Sequence, residues 1–312
     1  MHADEVEIDA PLVRRLVETQ FPGWAGLPLR RVASAGTDNA VYRLGDALAV
    51  RLPRMAGAAG QVAKDARWLH RLAPALPLAV PELVGVGVPG EGFEWDWGVY
   101  RWLDGAEARL DRMTDPVAEA TRLAEFVDAL HRVDTSWGPA PARRGRGVPL
   151  ETRDEAVRSA IESAADLVDV AAVTSAWEES LSARVWSGAR VWVHGDLSPG
   201  NVLVRRGRVS AVIDFACLGV GDPACDLLVA WNLFEGESRE RFREALAVDE
   251  ATWSRGRGWA LSVALLQLPY YVSTNPPLAG NASHVIAQIL EDRARRQGPA
   301  DGKPVRSCRP GG

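Results

Sequence analysis

Three side chains in one stretch have oxygen atoms suited to a single job. Asp196, Asn201 and Asp214 lie within VWVHGDLSPGNVLVRRGRVSAVIDFACLGVGDPACD, residues 191–226, and none of them falls inside an apolar run. Carboxylate and amide oxygens are hard ligands, and a carboxylate also accepts a proton. The local pattern brings them together. Val191-Trp192-Val193 reads as a short strand that ends at His194-Gly195, which leaves Asp196 on the loop beyond it. Asn201 opens a second β-rich run, Arg206-Gly207 is a turn signal, and Val209 to Ile213 reads as the returning strand with Asp214 at its end. Such a hairpin sets Asn201 beside Asp214, with Asp196 over them. A base, an amide ligand shortly after it and a second carboxylate across a hairpin form a phosphoryl-transfer layout, in which Mg²⁺ is held on a nucleotide and a hydroxyl proton is accepted.

The order His194-Gly195-Asp196, Asn201, Ile213-Asp214-Phe215 and then GVGDPACD ending at Asp226 resembles the aminoglycoside phosphotransferase family. The resemblance implies an α+β, bilobal protein-kinase-like fold with a small antiparallel β-sheet N-lobe and a mainly helical C-lobe. It implies that Asp196 is the catalytic base, that Asn201 and Asp214 bind Mg²⁺, and that ATP is the phosphate donor. His194 is expected to fix the loop by hydrogen-bonding backbone near Asp214. Pro223 suits a first helical turn capped by Asp222, and Asp226 is expected to brace the catalytic loop.

The elements upstream must then supply the nucleotide site. Asp9 can cap a helix with Pro11 in its first turn. Leu29–Ala33, Ala40–Leu44 and Leu48–Leu52 read as three antiparallel strands, with Gly45-Asp46 turning the second hairpin. Between the first two strands, residues 34–39 hold Ser34, Thr37 and Asn39 where a kinase-like fold places its phosphate-covering loop; with one glycine this is no GxGxxG motif. Arg51 stands where such an enzyme usually has Lys, and its planar fork is bulkier than an ammonium. Asp65 is the single carboxylate on the following helix, Gln61–Leu72, and is the candidate partner of Arg51 by elimination. Leu83–Val88 and Trp97–Trp102 complete the sheet, and the Tyr100, Trp102 and Leu103 backbone marks the hinge that in the resemblance holds adenine.

Thr114-Asp115-Pro116 starts a long helical region, interrupted by an Arg-, Gly- and Pro-rich loop at 139–149 that reads as either solvated or lying over the substrate. Glu151–Val170 and Ala171–Ser187 read as two helices before the motif, and four more follow it. The expected division is a nucleotide-binding lobe over residues 1–103, a helical lobe with catalytic, metal and acceptor sites over 104–296, and a disordered tail over 297–312. A net charge of −5 argues against nucleic acid, and no apolar stretch approaches the roughly 20 residues of a membrane span. Three cysteines without metal-ligand spacing read as cytosolic thiols.

The acceptor is expected to be a small hydroxylated molecule. An aminoglycoside would want acidic residues, for which Glu235 and Glu237 offer themselves; the tryptophans and Tyr270-Tyr271 suit a macrolide or another less polar acceptor instead. A non-catalytic nucleotide-binding protein is a further reading, opened by Arg51 and opposed by the presence of Asp196 with both ligands. A protein kinase is disfavoured because HRD and DFG are missing.

Overall fold

The computed structural model describes residues 7–32, 38–139 and 145–297. Helix α1 (Ala10–Gln20) begins at Asp9, whose carboxylate accepts the Leu12 N–H at 2.8 Å. Strands β1 (Leu29–Arg31), β2 (Asn39–Leu44) and β3 (Leu48–Pro53) follow, then α2 (Gln61–Leu72), β4 (Leu83–Gly87) and β5 (Trp97–Arg101). The five strands form one antiparallel sheet in the order β1-β2-β3-β5-β4. Alternation of burial along β2 and β3 sends Tyr42, Leu44, Val50 and Leu52 to one face, where they pack with Val13, Leu16, Trp97 and Val99. Val41 and Arg51, paired across the same two strands, take the other face, so the period of the strand is what turns Arg51 away from that core.

Beyond the short β6 (Ala106–Glu107) comes α3 (Pro116–Arg132), capped by Asp115, which accepts from the Val117 and Ala118 amides at 3.1 Å. The region read as two long helices before the motif holds α4 (Asp154–Ser163) and α5 (Val170–Leu181). Asp169 caps α5 through the Ala172 amide at 3.0 Å, so the helical period restarts there rather than running on. Strand β7 (Val191–Val193) leads to the hairpin β8 (Val202–Arg205) and β9 (Arg208–Val212), then β10 (Gly219–Gly221), which pairs back onto β7. Both turn residues of the hairpin, Arg206 and Gly207, have positive φ.

Helices α6 (Val229–Asn232), α7 (Gly236–Leu246), α8 (Glu250–Tyr271) and α9 (Pro276–Gln297) complete the chain. Helix α8 is buried on every side through much of its length, which makes it the central rod of the lobe. Its glycines permit that. A Cβ on Gly256 would meet Leu227 Cβ at 2.6 Å, and one on Gly258 would meet Leu150 Cδ2 at 2.4 Å, so the segments on either side of the catalytic strand pack directly on the rod. The apolar residues form two clusters, a small one under the five-stranded sheet and a large one through the helices. Trp68, Leu69 and Leu72 of α2 join the large cluster, so this helix touches both halves of the molecule.

Candidate active site

The site is built outward from a buried carboxylate. Asp226 is fully buried and accepts from Gly195 N at 2.6 Å, His194 N at 3.1 Å and His131 Nε2 at 3.0 Å. Two successive backbone amides on one carboxylate fix the path of the chain just before Asp196. The His194 ring adds a second tie: Nδ1 accepts the Asp196 N–H at 3.2 Å, so Nε2 carries the proton and donates to Ile213 O at 3.1 Å. Asp222 caps the turn after it through Ala224 N and binds Arg255 Nε at 2.8 Å.

Asp196 emerges from this frame about one third exposed. Asn201 Nδ2 donates to its backbone oxygen at 2.8 Å and to its Oδ2 at 3.1 Å. The hairpin does the rest, because Ile213 N bonds Asn201 O at 2.8 Å and Val202 faces Val212. Asp214 therefore starts next to Asn201. It sits in the left-handed region at φ 62°, a strained conformation for a residue with a Cβ, and accepts from Ala216 N at 3.3 Å. With the Asn201 NH₂ committed to Asp196, its amide oxygen is left for a cation. One carboxylate and one amide oxygen make a hard, all-oxygen donor set that fits Mg²⁺ with water and phosphate filling the other positions. Among the described residues there is no group of three or more His, Cys, Asp or Glu that could hold a metal by themselves.

Arg51 crosses to this group from β3. Its Nη2 lies 2.8 Å from Asp214 Oδ1, whereas its nearest approach to Asp65 is 3.9 Å. The expected ion pair with Asp65 is therefore present as the longer of two, and each Asp65 oxygen also accepts a hydrogen bond, from Gln61 Nε2 at 2.6 Å and the Tyr100 hydroxyl at 2.8 Å. Asn39, with its amide oxygen turned to the guanidinium, accepts from Arg51 Nη2 at 2.9 Å and Nε at 3.3 Å. Burial opposes the Arg51 charge, but Asp214, Tyr100 and Asp65 outweigh it and hold the group above its ordinary pKa. Burial also pushes Asp214 up, and Arg51 reverses this, keeping the carboxyl below the usual range. Asp65 is different: burial dominates over Arg51 and raises it.

The remaining expected nucleotide contacts divide. Tyr100 turns its hydroxyl to Asp65 and stays inside. The Trp102 N–H is bonded to Ala47 O at 2.8 Å and its indole to Asp104, which removes both donors from a role toward a base; Leu103, partly exposed, follows at the crossover. Ser34 and Thr37 lie outside the described residues.

Two cations at the site were not read from the sequence. Lys64 Nζ reaches Ala216 O at 2.6 Å, beside Asp214, and burial lowers its pKa. It is one of two lysines in the chain, with Lys303, so arginine at position 51 follows a chain-wide preference rather than an isolated loss. Arg146 comes from the loop read as solvated or overlying. It turns inward instead, with Nη2 3.2 Å from Asp196 Oδ1, and its backbone neighbour Gly147 accepts the Asp222 N–H at 2.8 Å. The signal was Gly145-Arg146-Gly147: both glycines have positive φ, which lets the chain fold back there.

The residues offered for acceptor specificity lie elsewhere. Glu235 and Glu237 line a depression with Pro116 and Val117 at the start of α3, while His131 at the other end of α3 binds Asp226. At the helical rise this separation is roughly 20 Å along α3. Tyr270 and Tyr271 end α8, roughly 16 Å along the helix from Trp259, whose ring lies 5.9 Å from the Arg146 guanidinium.

Residues 30–259 match the model of the phosphotransferase enzyme family, and the chain belongs to that family. The uncharacterized protein YcbJ of Bacillus subtilis (strain 168) is 25% identical over 198 residues, covering 60% of this chain and 59% of that relative. The structure of wild-type aminoglycoside 2′-phosphotransferase-IIIa in its GDP complex superposes with a TM-score of 0.74 at 16% identity, covering 92% of this chain and 100% of the other. Macrolide 2′-phosphotransferase MphH from Brachybacterium faecium gives 0.59 at 24% identity, covering 89% and 97%. The shared fold is the bilobal, kinase-like α+β architecture anticipated above. No helix among the described residues is long and apolar enough to cross a membrane.

Proposed function

We propose that this protein moves the γ-phosphoryl group of ATP to a hydroxyl of a small molecule. The observation that carries this reading is the shared geometry of Asp196, Asn201 and Asp214: one loop and one hairpin end, tied by the bonds from Asn201 Nδ2 to Asp196, with Arg51 reaching in from the opposite lobe. In this reading residues 1–103 hold the nucleotide and 104–296 the acceptor. Arg51, with Asn39 turned to its guanidinium, and Lys64 lie against the phosphates.

Asp196 accepts the acceptor's proton as the new O–P bond forms and the bond from the γ-phosphorus to the bridging oxygen of ADP breaks. Its Oδ1 is steadied by Arg146 and its Oδ2 by Asn201, so the carboxylate is aimed before substrate arrives. In a loose transition state the proton leaves late, and aim matters more than basicity. Asn201 Oδ1 and Asp214 are the groups that would hold Mg²⁺, which when bound neutralises phosphate charge. Structural neighbours named for aminoglycosides and macrolides make antibiotics of both kinds the first acceptors to try.

The test is ADP release with Mg²⁺ and ATP over a panel of antibiotics and hydroxylated metabolites, with mass spectrometry of each acceptor. Phosphate adducts that disappear with Asp196→Asn, while ATP still binds, support the assignment. Adducts that persist with Asp196→Asn reject it.

A further inference from the structure

The turn before α4 brings a second guanidinium to the Trp259 ring that Arg146 also approaches. Arg153 lies 5.3 Å and Arg146 5.9 Å from the centroid of the same fully buried ring, Trp259 of α8. The fully buried arginines of this lobe have carboxylates, whereas Arg153 is half-buried: Arg255 has Asp222, Arg257 has Glu179, and Arg239 has Asp292. Arg153 has none among the described residues, and its Nε is buried without a hydrogen-bond partner. Burial, and then the charge of Arg146, pull its pKa down to about 10. A guanidinium held in place without its counter-charge is an unfavourable arrangement in the absence of an anion.

Local charge makes the same point. Arg146 already offsets Asp196, and Arg153 adds a second positive charge beside Arg146. An ammonium-rich acceptor would have to place its charges against two guanidiniums, and the glutamates that could have received them are at the far end of α3. A carboxylate or phosphate, in contrast, fits the planar fork of arginine with two parallel hydrogen bonds.

We propose that the acceptor carries an anionic group, a carboxylate or a phosphate, close to the hydroxyl that is phosphorylated, and that Arg153, with Arg146 over Trp259, binds it. This rests on the phosphotransfer reading above. It makes the acceptor a hydroxy acid or a sugar or polyol phosphate rather than a polycationic aminoglycoside.

The experiment uses the full chain with Mg²⁺ and ATP. Hydroxy acids and polyol phosphates, among them glycerate and glycerol 3-phosphate, are each compared with a neutral counterpart (methyl glycerate, glycerol), and kanamycin is the cationic arm. A charge-assisted contact predicts at least about tenfold higher kcat/KM for anionic members. Preference within the carboxylate or the phosphate arm identifies the anion. Arg153→Gln should raise KM for the preferred acceptor about 10- to 100-fold with a much smaller change in kcat, and Arg153→Lys should restore part of it. Equal or better transfer to kanamycin or the neutral members overturns the proposal, as does an unchanged KM in Arg153→Gln. That wild-type comparison decides even where the variant does not fold. Should no member be phosphorylated, thermal shift with glycerate and glycerol 3-phosphate separates the two ideas. Stabilisation lost in Arg153→Gln upholds the anion site while the transfer reading fails. No stabilisation dependent on Arg153 overturns the anion site itself.

Discussion

The molecule uses carboxylates in two ways on the two sides of its catalytic loop. Behind the loop, Asp226 and Asp222 are buried, lie within one lobe, and have their oxygens bonded to backbone amides, His131 and Arg255. In front of it, Asp196 and Asp214 are 34% and 38% exposed, and each meets one arginine that belongs to another segment. The rear set has donors enough to offset the desolvation of its charge. The front set keeps unbonded lone pairs facing the cleft, as groups must if they are to take up a cation or a proton. Rigidity is concentrated behind the site, and exchangeable contacts are concentrated in it.

The widest separation between the two sets should come from single substitutions. Asp196→Asn should lower kcat by about 10²- to 10⁴-fold while the unfolding midpoint stays near wild type, as read by ADP release and urea denaturation. A variant that lost stability as severely as activity would erase the distinction. Asp226→Ala is the converse case. It strands the Gly195 and His194 amides and should lower unfolding free energy by about 3–5 kcal/mol. A change below about 1 kcal/mol would mean that the loop is held by something else.

A smaller effect tests how the front set is attached to the rear. A Cβ on Gly221 would fall 2.2 Å from Gly147 O, so Gly221→Ala must push aside the loop that carries Arg146. The expected loss is about 1–3 kcal/mol of stability from overpacking. Loss of aim at Asp196 should appear as a fall in kcat larger than the rise in KM for ATP. If kcat stays at the wild-type value, Arg146 does not position the base.

How far these regions can be read from sequence follows the range of the interactions. The hairpin that joins Asn201 to Asp214 is written in consecutive residues, by alternation and a two-residue turn, and helix α2 spans Gln61–Leu72 as its apolar spacing requires. Asp9, Asp115 and Asp222 cap as their positions beside proline imply. The choice of ion-pair partners is different, because it depends on segments that meet only after folding. Arg51 pairs with Asp65 of the next helix as its position implies, but it lies closer to Asp214, 163 residues away, a partner that no local pattern names. Arg146 lay in a basic run that read as either solvated or lying over the substrate; its flanking glycines mark where the chain folds back, but no residue near it in sequence names Asp196 as the partner. Glu235 and Glu237 follow the motif closely in sequence, yet the direction of α3 places them at the far end of the lobe.

The smallest expected difference lies in acid, where the front set should reveal itself as an exchangeable contact. Arg51 holds the folded-state pKa of Asp214 below its ordinary value, so the folded protein binds fewer protons there than the unfolded chain does. The contribution to stability is present above the unfolded pKa, about 3.9, and is lost as pH falls from there through the depressed folded value. Because Asp214 is 38% exposed, solvent screening limits this to at most about 1 kcal/mol. Asp214→Asn and Arg51→Met, measured by urea denaturation without divalent cations, should each lose less stability than wild type across that acid window. The two variants should differ from each other there: Asp214→Asn removes the titration, whereas in Arg51→Met burial, no longer reversed, raises Asp214 and makes acid favour the folded form. An acid limb as steep in both variants as in wild type would show that Arg51 and Asp214 are not coupled in solution, and the lobes would then meet at this point only when a nucleotide draws them together.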